Sequence, residues 1–556
     1  MGRRDRRFLW ALGIGIPMLS GGIAVVVAQE AIVTRVAKVV DIFTALVRSV
    51  LTQYVEPVDP ELLLEAGAEA MLKQLDPYSR YIDEEGSDEL DILSTGSYTG
   101  IGIVAALRED SLLTVVEVHE NSDAWRAGVR VGDRLYQIDS VVVLRLPARQ
   151  LRRYTRGEPG TTVRLVLLRE RLTGGYDTLR LIVRREEIRL PAVTLAQVVN
   201  DTIGYVRLER FSRRAVQEVQ QAWAALRQRA LLRGIILDVR DNPGGLLDVA
   251  VNICGLFVPA NTPLVTVRGR DSQNDRVYYA YVSPQETELP LAVLINGGSA
   301  SASEIIAAVL QDLDRALIVG TPSVGKGLVQ SVLSLPHGTV LRLTTARYYT
   351  PSGRTVQKFA VPFVAHKASQ ETSRPFATRN GRIVFGNAGV QPDVVVEAED
   401  SLPEALRWLQ REGWLFRFAT AYAAQYERLP DGFRVTPKVI AEFENFLIAH
   451  GKAEKLYPVR AALTTLLEHA RHTESPTLLR QVERLADQLR QQERSLLVQH
   501  QEHLLPLLER EILARFLPAW RLKERFLLQD VQLMTAARLI GSQRYYQILA
   551  ISPAEH

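Results

Sequence analysis

From Ala31 to about Tyr81 apolar residues recur at helical spacing, as in Ile42, Leu46, Val47 and Val50, then Leu62, Leu63, Ala66 and Met71. That period predicts two or three amphipathic helices. The segment Asp76-Pro77-Tyr78-Ser79-Arg80-Tyr81 interrupts it with a proline turn. Between about Thr95 and Arg185 the pattern changes to short β-rich runs at 101–107, 113–118, 134–138, 162–168 and 178–183, separated by glycine and charged turns, with a short helix over 122–127 closed by Gly128. From Leu190 to about Val396, strands at 203–207, 234–239, 291–295 and 316–319 alternate with helical stretches at 216–229 and 303–313. Ile235-Ile236-Leu237 and Val293-Leu294-Ile295 are apolar at every position, as strands buried on both faces require. After Ser401 proline and glycine thin out, and periodic runs such as 478–489 and 504–516 predict an all-helical tail.

The pattern divides the chain into residues 1–29, a helical region 30–94, a β-module 95–186, an α/β core 187–398 and a helical domain 399–556. A length of 556 residues fits several cores rather than one. Composition is that of a globular protein, 47% hydrophobic and 23% charged. Formal charge is only +4, and no basic run interleaved with aromatics follows the N-terminus, which argues against a nucleic-acid partner. The single cysteine, Cys254, excludes an intrachain disulfide and a cysteine-rich metal site, and its apolar neighbours predict plain burial. At the N-terminus Arg3, Arg4, Arg6 and Arg7 precede an apolar run over 8–28, long enough to cross a bilayer with the N-terminus in the cytoplasm. A cleaved secretory signal is the other reading, and both export the rest of the chain to the cell envelope, anchored in the inner membrane or free in the periplasm.

Three glycine-containing loops end core strands, where open α/β sheets gather their active sites. Asn296-Gly297-Gly298-Ser299-Ala300-Ser301-Ala302-Ser303-Glu304 runs from a buried strand into a helix. A serine lifted out of a sheet there, with helix N–H groups beside it, suits an acyl-transfer nucleophile. Ser301 and Glu304 also satisfy an ordinary helix-capping box, and spacing does not separate Ser299, Ser301 and Ser303. Lys326 stands between Gly325 and Gly327, and no acidic residue lies between Arg315 and His337. A lysine that accepts protons near neutral pH must be desolvated and kept from carboxylates. Gly320 to Lys326 also has phosphate-loop spacing, but Gly327 occupies the place of the magnesium-binding Ser or Thr. In Asp241-Asn242-Pro243-Gly244-Gly245 the paired glycines permit close backbone approach, as a turn or as oxyanion donors beside Ala302.

Taken together, Asn242 to Gly245, Ser299 to Glu304 and Gly325 to Gln330 resemble the NPGG, SASAS-E and GKG-x-VQ motifs of the carboxyl-terminal processing, or tail-specific, proteases. The resemblance extends from about Val39 to Val396 and includes the DPYSRY segment. It implies an α/β core like that of ClpP and the crotonases with an inserted PDZ module, which together with the N-terminal helices and the C-terminal all-α domain read from periodicity makes a multidomain α+β fold. It implies Ser301 as nucleophile, Lys326 as general base and Gln330 orienting the lysine amine, with oxyanion donors from Gly244, Gly245 and Ala302. Asp312 matches an acidic position near the site and is read as structural support. Gly100, Ile101, Gly102 and Ile103 fall where a PDZ loop captures a peptide carboxylate, the tail adding as a strand with its side chains toward Ala124 to Ala127. Asp123 and Ser140 depart from the family's usual proline and glycine.

The implied activity is a metal-free, cofactor-free serine endopeptidase acting on exported proteins with apolar C-terminal tails. The alternatives are a non-catalytic PDZ scaffold on a degenerate protease core, and a crotonase-like acyl-CoA enzyme. The C-terminal helices are expected either to bury only themselves or to serve dimerisation or adaptor binding.

Overall fold

The computed structural model describes residues 15–108, 111–358, 373–397, 402–430, 432–472, 476–492 and 495–552. Of the anchor or signal expected over 1–29, residues 1–14 lie outside the described residues and 15–29 open the first helix. Among the described residues no helix is long and apolar enough to cross a membrane. The chain forms two compact units, 1–81 and 82–556.

In the first unit helices span Gly15–Gln53 and Pro60–Lys73. Asp59 caps the second, accepting the Glu61 N–H at 2.9 Å, and Pro60 at the first helical position has no N–H to leave unpaired. The Asp76 carboxylate closes the expected proline turn by accepting the N–H groups of Tyr78 and Ser79, each at 2.7 Å.

In the second unit the β-module is an antiparallel sheet in the order Ile103–Leu107, Leu113–Val118, Arg134–Ile138, Thr162–Glu170, Tyr176–Arg184. Its inward residues, among them Leu113, Val115, Leu135, Val163, Leu165 and Leu167, form a separate core. The chain enters and leaves along paired strands, Ser97–Gly100 and Glu186–Arg189. Ile103–Leu107 is an edge strand. The helix packed against it is Ala148–Thr155, whereas the turn Asp123–Arg126 packs against Tyr176–Arg184. Side chains of an added strand would thus meet 148–155, not 124–127. The arginine-rich stretch 148–155 carries too little apolar periodicity to announce itself as a helix.

The α/β core is a six-stranded sheet in the order Val193–Val199, Ile203–Leu208, Gly234–Asp238, Leu291–Ile295, Ala316–Gly320, Val394–Val395. The first pair is antiparallel and the others parallel. Alternation sorts the strand residues onto two faces. Ile235, Leu237, Leu291, Val293, Ile295 and Ile318 meet the helices Ala215–Arg229, Leu247–Gly255 and Ala302–Asp312. Ile236, Ala292, Leu294, Leu317 and Val319 meet Leu533, Ala536, Tyr545 and Leu549 from the end of the chain. Gly234 permits that approach: a Cβ there would lie 2.1 Å from the Ile540 methyl.

The C-terminal helices thus do not bury only themselves. Glu404–Arg411, Trp414–Ala423, Pro437–Ala449 and Gln501–Leu513 share a core of Leu406, Phe418, Phe443, Leu508 and Ile512. They also grip the β-module. Arg130 donates to the carbonyls of Tyr426 and Glu427, both at 2.9 Å, and Arg417 pairs with the buried Glu170 at 2.7 Å.

Candidate active site

Ser301 caps the helix Ala302–Asp312 with φ +55° and ψ −111°, a conformation costly for a residue with a Cβ. Its neighbours differ from it in kind. Ser299 and Ser303 are fully buried, and their hydroxyls donate to the carbonyls of Val239 and Asn242, each at 2.8 Å. Ser301 is only partly buried, and among the described residues its hydroxyl finds no such acceptor. Local geometry therefore separates three serines that the sequence leaves equivalent.

The glycine loop is pinned onto this turn by Asn242, a fully buried residue. Its Nδ2 donates to Leu208 O at 2.8 Å, its Oδ1 accepts the Gly244 N–H at 2.9 Å, and its carbonyl accepts the Ala300 N–H at 3.1 Å. Gly244, at φ +104°, passes so close to the serine turn that a Cβ would lie 2.8 Å from Ala300 O and 2.9 Å from Ser301 Cβ. With the Gly244 N–H given to Asn242, the N–H groups of Gly245 and Ala302 remain beside Ser301 with no acceptor among the described residues.

The lysine loop is tied to the same turn. Val324 N–H donates to Ser299 O at 3.1 Å. Glu304, fully buried, receives four hydrogen bonds: Oε2 accepts the N–H groups of Ser301 and Lys326, both at 2.8 Å, and Oε1 accepts Gly325 N–H at 2.7 Å and the Ser323 hydroxyl at 2.5 Å. Burial pushes this carboxyl above its usual range, and the four donors pull against that shift. The Tyr348 hydroxyl adds a link, reaching the carbonyls of Lys326 at 3.1 Å and Ser301 at 3.4 Å. Gln330 Nε2 donates to Thr344 Oγ1 at 3.4 Å on the strand pair that leaves the loop. Asp312 lies elsewhere on the helix and forms a fully buried ion pair with Arg354 at 2.8 Å, consistent with structural support.

Sequence spacing gives no hint of the roles of Glu304, Asn242 and Tyr348 as cross-links. The Ser-x-x-Glu spacing does flag Glu304, but as a cap. The box is half of the story, since the same carboxylate that closes it also holds Ser323, Gly325 and Lys326.

Behind the glycine loop, burial pushes the Asp238 carboxyl up, but Arg240 and Arg207, at 2.6 and 3.1 Å, hold it well below the usual carboxylate range. A depressed folded pKa contributes stability that is complete above the unfolded pKa, about 4, and is lost as the pH falls toward the folded one. Asp238→Asn should cost about 3–5 kcal/mol near neutral pH by leaving buried arginines undercompensated. Thermal melts between pH 3 and 7 should show the gap from wild type narrowing below about pH 4.

The fold and site together are those of a serine peptidase with a PDZ module. Peptidase family S41 matches residues 202–362, a PDZ domain residues 114–169, and the C-terminal helical domain of a probable PDZ-protease residues 405–540. A carboxy-terminal-processing protease of Bartonella bacilliformis is 37% identical over 59% of this chain and 74% of its own length. A carboxyl-terminal-processing protease of a Picosynechococcus species is 33% identical over 53% of this chain and 71% of its own. A solved photosystem II D1 C-terminal processing protease is 27% identical, covering 65% of this chain and 88% of its own at a TM-score of 0.37. The chain belongs to the carboxyl-terminal processing protease family.

Proposed function

We propose that the protein cleaves C-terminal regions of exported proteins by a Ser-Lys mechanism, with the PDZ module binding the substrate tail. The observation that carries this reading is that Ser301, the one serine of three whose hydroxyl donates to no carbonyl among the described residues, shares a buried carboxylate with the backbone of Lys326. Ser301 Oγ attacks the scissile carbonyl carbon while its proton passes to the neutral Lys326 amine. The tetrahedral oxyanion rests on the N–H groups of Ala302 and Gly245, with Gly244 giving the close approach. The Lys326 ammonium then protonates the leaving amine, and water hydrolyses the acyl-enzyme by the reverse path. Gln330 orients the amine in this scheme. No step requires a metal, nucleotide or histidine.

The substrate tail adds antiparallel to the edge strand Ile103–Leu107, its carboxylate on the N–H groups of the loop 100–103, its side chains toward the helix Ala148–Thr155. The exposed Val104 and Leu107 of that edge favour apolar tails. Residues 1–29 hold or send the enzyme outside the cytoplasm, to the cell envelope.

An unstructured substrate with a free C-terminal carboxylate should be turned over with kcat/KM about 10-fold or more above the same substrate ending in an amide, because charge-assisted bonds to the loop are lost. Equal rates for the two substrates would overturn the tail-binding role.

A further inference from the structure

Arg240 immediately precedes the loop 241–245, and its side chain is held from two distant parts of the chain. Nε and Nη2 donate to Asp238 at 3.0 and 2.6 Å; Nη1 and Nη2 donate to Asp530 at 3.0 and 2.6 Å; Nη1 also donates to Gln532 Oε1 at 2.8 Å. All five guanidinium N–H groups are used, in a planar fork that leaves no rotational freedom. Asp530 is itself fixed: it caps the helix Val531–Leu539, accepting the Leu533 N–H at 2.9 Å. That helix lies on the back of the central sheet through Leu533 and Ala536.

On the other side of Arg240, Asp241 takes a left-handed φ of +59° and exchanges two hydrogen bonds with Asn296, at 2.9 and 2.8 Å. Asn296 opens the serine turn, and Asn242 and Gly244 follow directly. The Arg240 backbone therefore sets where the glycine loop begins, and a C-terminal carboxylate sets Arg240.

The same C-terminal stretch reaches the PDZ module ten residues earlier. Trp520 Nε1 donates to Glu120 Oε2 at 2.6 Å, and Lys523 pairs with Glu209 of the core. Glu120 follows His119, whose N–H donates to the Gly102 carbonyl of the candidate carboxylate loop at 2.9 Å.

We infer that Asp530, in the helical domain, is a positioning residue for peptide hydrolysis: by fixing Arg240 it holds the glycine loop against Ser301, and the segment 520–530 joins that loop to the PDZ module. The inference rests on the proposed site. Misplacement of oxyanion donors is felt where negative charge develops on the substrate oxygen, so it lowers kcat and spares ground-state binding.

The test is steady-state turnover of an unstructured protein substrate by the full chain, with active sites counted by a serine-directed phosphonate and every variant assayed well below its own Tm. Asp530→Asn should lower kcat per titrated site about 10-fold while KM stays within about twofold, as expected for a small misplacement of reacting groups. Asp530→Glu should recover a large part of the loss. Asp530→Ser keeps a helix-capping oxygen but removes the carboxylate from Arg240, so it should resemble Asn in kcat even where its Tm is near wild type. Wild-type kcat per site in Asp530→Asn and Asp530→Ser, or a loss that Glu does not relieve and KM shares, would overturn the inference. Ser301→Ala in the same assay separates the two levels: if it is inactive while the Asp530 variants are normal, only the inference falls; if it turns over normally, the site reading falls with it.

Discussion

Ser301→Ala is expected to lower kcat about 10⁴-fold or more with the fold intact, whereas Ser299→Ala and Ser303→Ala are expected to keep most of the turnover and lose stability. The contrast follows from what each hydroxyl does. Ser299 and Ser303 satisfy the buried carbonyls of Val239 and Asn242, and deleting either leaves a buried acceptor without its donor, at about 1–3 kcal/mol. Ser301 satisfies no such acceptor among the described residues, so its loss costs the fold no more than the helix cap, about 1 kcal/mol, and the chemistry nearly everything. Thermal melts and turnover measured on the three single variants give two orderings that should be opposite. Normal turnover by Ser301→Ala, or collapse of turnover in Ser299→Ala alone, would remove the basis of the assignment.

Glu304→Gln should produce the second largest effect. It preserves size but replaces one of two oxygens, each of which accepts two hydrogen bonds, by an amide that can only donate. Whichever way the amide turns, two donors of the site lose their acceptor, at about 1–3 kcal/mol each. Because those donors belong to Ser301 and Lys326, or to Ser323 and Gly325, the serine and lysine loops also lose their common fixed point. A drop in kcat of about 10²-fold is expected, the scale on which displacement of reacting groups by about 1 Å is felt. A melt shifted downward with kcat unchanged would reduce Glu304 to a helix cap and nothing more.

The legible parts of this molecule are those whose signal is local. The apolar runs at Ile235-Ile236-Leu237 and Val293-Leu294-Ile295 are buried central strands, and the alternating runs from Leu113 to Val183 form the β-module. What covers the second face of the sheet was not legible, because Leu533, Ala536 and Tyr545 arrive from more than two hundred residues beyond the strands they meet. Nothing in a helical period says whether a helix packs on its neighbours or on a distant sheet. The helix Ala148–Thr155 was hidden for the opposite reason, since its arginines mask the small apolar face that Leu151 supplies.

At the site the loops and their order were legible, and the choice among three serines was not. That choice depends on burial and on which carbonyl each hydroxyl meets, which no spacing encodes. The absence of acidic residues between Arg315 and His337 is likewise a local truth. In three dimensions Glu304 comes within hydrogen-bond distance of the lysine's own backbone from the preceding helix.

Ser301 as nucleophile and Lys326 as its base together make one chemical prediction. The most direct measurement is to treat the folded protein with a serine-directed phosphonate and map the adduct by peptide mass spectrometry, in wild type and in Lys326→Ala. A single adduct on Ser301 is expected, formed in step with loss of turnover and at least about 10²-fold more slowly without the lysine, the scale of general-base assistance. An adduct on Ser299 or Ser303, or labelling of Ser301 at the same rate in Lys326→Ala, would contradict it.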